Sequence, residues 1–165
     1  GEDWWFNLAP LPWFPKLWEN LNARWNVCIL TSPSSHASSL AGKKRWIDKY
    51  LKTREFLIGK PKEYCANLNS VLIDDRQRNC DLFHQAGGHV FQWPNSALTK
   101  RLIAEGKTTE NELIDKCISF ISACEEIQQT PSNVFYGIPQ KLIVKLPFQR
   151  EVCSQTSTAV DQMIV

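Results

Sequence analysis

The sequence predicts an α/β fold, a parallel sheet with helices on both faces, and three observations carry that prediction. Short apolar runs rich in β-branched residues recur at 27–30, 56–58, 71–73 and 89–91. They are unbroken rather than alternating, which is the pattern of strands buried on both faces. Between them lie stretches with apolar residues at helical spacing, and alternating strands and helices of these lengths imply right-handed crossovers. Two runs end in chemistry: Asn26-Val27-Cys28-Ile29-Leu30-Thr31-Ser32-Pro33 ends in two hydroxyls, and Ser70-Val71-Leu72-Ile73-Asp74-Asp75 in two carboxylates. In open parallel sheets, ligands sit at the carboxyl ends of strands.

Taken in order, Pro10, Pro12 and Pro15 punctuate the entry to a helix over 14–23, with Phe14, Leu17, Trp18 and Leu21 on one face. The run 27–30 is a buried strand leading into the polar loop Thr-Ser-Pro-Ser-Ser. A helix follows over 42–51, with Trp46, Ile47, Tyr50 and Leu51 on one stripe, and then a strand at 56–58. Helices are expected at 61–67 and 78–86, on either side of the strand 71–73. Gly87-Gly88 stops the second of these before a strand at 89–91. Near residue 106 the character changes. Thr109-Glu110-Asn111-Glu112 has capping-box spacing, and Leu113, Cys117, Phe120, Ile121, Cys124 and Ile127 form an amphipathic stripe through residue 128. Thr130-Pro131-Ser132-Asn133 breaks that helix, 141–146 reads as a strand, and 149–165 is polar and expected to be loose. The expected organisation is a core over 1–105 and a C-terminal extension over 106–165, with one helix and a tail.

Composition narrows the partners. The net charge is only +2, and the 19 basic residues are scattered except at Lys43-Lys44-Arg45. No nucleic-acid footprint results, and a small phosphorylated ligand fits better. The six cysteines (28, 65, 80, 117, 124, 153) form no Cys-x-x-Cys pair and several lie in apolar runs, as reduced buried thiols do. A soluble, cytoplasmic protein is expected, since the N-terminus lacks a signal peptide's basic region and no apolar run approaches the roughly 20 residues of a membrane span.

Two adjacent carboxylates repel each other unless a metal or proton neutralises them, and Mg²⁺ prefers such oxygens. Asp74-Asp75 therefore reads as a cation site, or alternatively as a plain Asx turn after a strand. Thr31-Ser32 is a phosphate contact or a helix N-cap. Lys62, between the two runs, is a phosphate partner or a solvated lysine. Hydroxyl, lysine and acid pair in that order point to phosphate chemistry. His36, His84 and His89 share no metal spacing; His36 lies in a Ser-rich loop and the other two read as surface or helix-end histidines, and Cys117 and Cys124, on one helix face, read as core.

Together these segments resemble a known family. Leu30-Thr31-Ser32-Pro33, Gly42-Lys43-Lys44-Arg45-Trp46, Lys62 and Leu72-Ile73-Asp74-Asp75-Arg76 are similar to the second, third and fourth motifs of haloacid dehalogenase superfamily phosphatases, in particular 5'(3')-deoxyribonucleotidases. The lead-in Trp4-Trp5-Phe6-Asn7-Leu8-Ala9-Pro10-Leu11-Pro12 is similar too, and the resemblance covers residues 3–95. It implies a three-layer, Rossmann-type sheet and a Mg²⁺-dependent aspartyl-phosphate hydrolysis of (deoxy)nucleoside monophosphates. By this resemblance Thr31, with Ser32, hydrogen-bonds phosphate, and Lys62 offsets the gathered charge. Asp75 is the Mg²⁺ ligand, Asp74 supports it, and Lys43 is a second phosphate contact. Trp5 packs on the substrate base or closes the core edge.

One element of the pattern is missing. The family's first motif is a strand followed by Asp-x-Asp, which supplies the nucleophile and the general acid/base. No Asp-x-Asp occurs in these 165 residues. The expectation is an N-terminally truncated core whose isolated chain is inactive, since losing a nucleophile removes about a million-fold in rate, and whose Mg²⁺ affinity is weak. Val27 to Leu30 would then lack a neighbouring strand, a liability that self-association, a partner strand or the tail would cover. Two functions remain open: part of a nucleotidase completed by an added segment or partner chain, or a non-catalytic phosphate-binding or protein-interaction module.

Overall fold

The computed structural model describes residues 1–128 and 141–144, and over these the chain is a mixed α/β protein. In chain order the elements are α1 (Glu2–Phe6), α2 (Phe14–Asn22), β1 (Asn26–Thr31), α3 (Ser38–Tyr50), β2 (Phe56–Ile58), a 3₁₀ turn (Lys62–Cys65), β3 (Ser70–Asp74), α4 (Gln77–Gln85), β4 (His89–Gln92), α5 (Ser96–Ala104), α6 (Glu110–Gln128) and β5 (Lys141–Val144). The break at 130–133, the tail 149–165, Cys153, residues 145 and 146 and the side chain of Ile127 lie outside the described residues.

The strands form one parallel sheet in the order β2-β1-β5-β3-β4. Successive side chains of a strand point to opposite faces, and both faces are packed. Val27 and Ile29 of β1 and Val71 and Ile73 of β3 join the larger core with Leu17, Trp46 and Ile114. Leu30 and Leu72 turn the other way and meet Phe83 of α4. That two-sided burial is why the strands read as unbroken apolar runs. Trp46, at the centre of the larger core, is fully buried and its indole N–H donates to the Leu8 carbonyl at 2.7 Å.

The segment after residue 105 enters the same core and the same sheet. The capping box of α6 is formed: the Glu112 N–H donates to Thr109 Oγ1 at 3.2 Å, and Glu112 Oε2 accepts from the Thr109 N–H at 2.9 Å and the Thr108 hydroxyl at 3.0 Å. Leu113, Ile114, Cys117, Ile121 and Cys124 are buried in the larger core. Each large apolar side chain so covered contributes about 1.5 to 3 kcal/mol. β5 sits at the middle of the sheet, pairing from Asn26↔Lys141 to Ile29↔Val144 on β1 and from Ser70↔Lys141 to Ile73↔Val144 on β3. The neighbour that Val27–Ile29 was expected to lack is thus supplied by the chain's own C-terminal region.

Several bounds differ from those read in the sequence. α3 begins at Ser38 rather than 42, because Ser39 Oγ accepts the Ser34 N–H at 3.0 Å and ties the loop to the first turn. The stretch 61–67 makes only the 3₁₀ turn, led in by extended Pro61 and ended by extended Ala66. α1 and α5 were not expected at all. α5 has a side-chain cap, Asn95 Oδ1 accepting from the Leu98 N–H at 2.9 Å, whereas α1 has none and is held by tertiary contacts with α3. Among the described residues no helix is long and apolar enough to cross a membrane.

Candidate functional site

Because the strands are parallel, Thr31 at the end of β1 and Asp74 at the end of β3 share one edge of the sheet. With β5 between them, β1 and β3 lie two strand spacings apart, about 10 Å. On the β1 side, Thr31 is buried and Lys43, one turn into α3, reaches back to it. The Lys43 ammonium donates to Thr31 Oγ1 at 3.3 Å and to the Ser32 carbonyl. Thr31 and Ser32 do not cap α3, whose N-cap position is Ala37.

α1 closes over this cluster. Its Trp5 ring lies 4.6 Å from the Lys43 ammonium, leaving that lysine 5% exposed. The approach depends on Gly42, where a Cβ would stand 2.6 Å from Trp5 Cβ and collide with the Glu2 carbonyl. Outside, Arg45 pairs with Glu2 at 2.7 Å and Asp3 at 3.0 Å and lies over Phe6. These exposed pairs contribute little individually. Trp5 is half-buried and packs against the larger core, while Trp4, edge-on to it at 4.7 Å, is exposed.

On the β3 side, Lys62 and Asp74 form a buried ion pair at 2.6 Å, with side chains 4% and 0% exposed. Asp74 Oδ2 also accepts from Asn79 Nδ2 at 3.0 Å, and Oδ1 from the Arg76 N–H at 2.9 Å. The second contact is an Asx turn, so Asp74 both turns the chain and binds the lysine. Buried charges survive desolvation only when their remaining hydrogen-bonding capacity is filled in this way. Lys62 is accordingly no solvated lysine. Beside the pair, the Cys80 thiol is pushed up to about 11, by burial first and then by the Asp74 charge. It is a packed thiol rather than a nucleophile.

Asp75 is half-buried and adjacent. For Mg²⁺, both Asp74 oxygens are engaged by Lys62, Asn79 and Arg76, and no group of three His, Cys, Asp or Glu side chains among the described residues is placed to hold a metal. His36 and His84 are exposed and His89 half-buried, and Cys28, Cys65, Cys80, Cys117 and Cys124 form no disulfide among the described residues. The sequence reading did not single out Asn79. Its signal is a polar residue in the first turn of the helix that follows the acid pair, within reach of the strand end. Two surface grooves, of about 360 and 390 Å³, lie elsewhere: one along Asn22–Asn26 with Glu125, the other around Asn95 and Arg101. Neither is lined by the convergent polar groups at the strand ends.

Comparisons with protein-family models, with curated proteins and with solved structures gave no match.

Proposed function

We propose that this chain is a three-layer phosphatase core of the haloacid dehalogenase type, nucleotidase-like, that binds a phosphomonoester at the carboxyl edge of its sheet. One observation supports the reading above others. Thr31, Ser32, Lys43, Lys62 and Asp74, drawn from four separate stretches of sequence, form two hydrogen-bonded clusters at the ends of β1 and β3, which share one edge of the sheet with β5 between them. Two buried ammonium groups and a buried hydroxyl favour a compact anion. In this reading the Thr31 hydroxyl donates to a phosphate oxygen, Lys43 and Lys62 offset phosphate charge, and Asp74 fixes Lys62 in place. Asp75 is the carboxylate nearest to where a cation would bind, but no step of the chemistry is assigned to one. The attacking carboxylate is not among these residues, which contain no Asp-x-Asp.

A second reading, a phosphate-binding module without turnover, is favoured by one feature. The four residues that follow the central strand in the sequence, Lys145-Leu146-Pro147-Phe148, include no acidic side chain. Both readings expect the intact chain to bind inorganic phosphate or vanadate and to show no turnover on deoxynucleoside monophosphates. Titration by ³¹P or ⁵¹V NMR is the test, with Thr31→Val as the near-isosteric probe. Binding should weaken at least tenfold in Thr31→Val and in Lys43→Met. Equal affinity in all three proteins would move the ligand site elsewhere.

A further inference from the structure

β5 divides the sheet into two halves, β1 with α3 and β2 on one side and β3 with α4 and β4 on the other, and each half ends in an outer edge. The two edges are not alike. In β4, His89, Val90 and Phe91 are half-buried and only Gln92 is exposed. β2 carries Leu57 at its centre, 51% exposed. Its main chain is open as well. The Ile29 N–H donates to the Glu55 carbonyl at 3.0 Å and the Gly59 N–H to the Thr31 carbonyl at 2.9 Å, so the peptide groups of 55, 57 and 59 face β1. Alternation turns those of Phe56 and Ile58 outward. The Phe56 N–H donates to the Arg54 carbonyl at 3.1 Å. The Phe56 carbonyl and both Ile58 groups are left facing a side where β2 has no strand neighbour among the described residues.

Charge marks the same edge. Lys52, Arg54 and Lys60 flank it, all exposed, against the single acid Glu55, and none of these three bases has an ion pair among the described residues. Lys44 lies over the Phe56 ring at 5.6 Å and pairs with Asp48. Short length and lysines commonly guard an edge against aggregation. A half-exposed leucine at the middle of the strand does not belong to such a guard, and positive charge repels only strands of its own sign. A second copy would set Lys52, Arg54 and Lys60 against the same three residues, and like charges on neighbouring strands oppose pairing.

We propose that the outer edge of β2 is a docking site for an extended acidic segment of a partner protein, which adds a strand by main-chain pairing to Phe56 and Ile58. Alternation fits the occupant to its surface: apolar side chains on one face cover Leu57, and carboxylates on the other meet Lys44, Arg54 and Lys60. This surface shares no residue with the two clusters at the strand ends and is independent of the phosphatase reading.

The test uses the full chain and the peptide acetyl-Glu-Val-Asp-Val-Asp-Val-Glu-amide, with a control peptide in which lysine replaces every acid. Amide hydrogen exchange is followed by NMR at Leu57 and Ile58, and affinity by anisotropy of labelled peptide. In the protein alone, the Ile58 amide should exchange at least tenfold faster than that of Leu57. The acidic peptide should slow Ile58 at least tenfold and bind at least tenfold more tightly than the lysine peptide. Its affinity should fall at least tenfold in Leu57→Ser and in Arg54→Glu with Lys60→Glu, and the charge-reversed variant should prefer the lysine peptide. All three substitutions alter exposed side chains, and an unchanged thermal transition checks that the fold is kept. Equal affinity for the two peptides overturns the acidic occupant. Acidic-peptide binding that leaves Ile58 exchange unaltered overturns the edge as its site. Protection of Ile58 that grows with protein concentration alone overturns the separate partner in favour of a second copy.

Discussion

The Lys62–Asp74 pair shows what the sequence disclosed at single residues and what it withheld. Removing one partner from a buried ion pair leaves the other charge uncompensated, at a cost of about 3 to 5 kcal/mol. Lys62→Met and Asp74→Leu should each show a loss of that order in urea unfolding. The double variant should be more stable than either, because an apolar pair of similar volume needs no desolvation; additive losses would mean that the two side chains are not coupled. A second expectation concerns thiols. Burial pushes Cys117 up to about 12, and Cys80 is held near 11. In the unfolded chain these thiols ionise near 8.5. The unfolded state therefore loses protons first, so the stability they contribute is intact below about pH 8.5 and is lost as pH rises toward 11 to 12. Alkaline unfolding midpoints should move upward in Cys117→Ala relative to its own neutral-pH stability. Thr31, Lys62 and the acid pair were readable because each ends or follows a recognisable run. Which of Asp74 and Asp75 would be the buried one was not, since that depends on where the strand stops and on Asn79 reaching back.

Elements with their own signals were read almost to the residue. α6 carries both a capping box and a long apolar stripe, and its bounds follow from those alone. β1, β3 and β4 follow from apolar runs closed by polar residues. α1 is different: five residues cannot sustain a helix by propensity, and this one exists because Gly42 lets it lie against α3. Ordinarily alanine in a helix interior would be favoured over glycine by about 0.5 to 1 kcal/mol. Here the added methyl meets Trp5 Cβ and backbone of Glu2, neither of which can swing aside. Gly42→Ala should therefore displace α1, uncover Lys43 and raise the exposure of Trp5, with a red-shifted tryptophan emission and faster cleavage by protease near residues 2–6. An unchanged spectrum and digestion pattern would show that α1 is not held by this contact.

At the scale of the whole molecule, the class of fold was readable and the strand order was not. Periodicity reports how a segment is buried, whereas order depends on which distant segments meet, and β5 meets β1 across more than a hundred residues of chain. Contacts so far apart close late and slowly. Removing residues 141–165 is expected to abolish the cooperative thermal transition while much helical circular dichroism remains, since each half keeps its own crossover. A sharp transition in the shortened chain would mean that the two halves hold together unaided. The same keystone has a consequence for how the protein comes into being. Among the described residues, six helices and the other four strands precede β5 and leave the ribosome before it. Until β5 pairs with them, β1 and β3 each keep a bare β-edge, so the hazard of mispairing is greatest while the chain is being made rather than in its finished state.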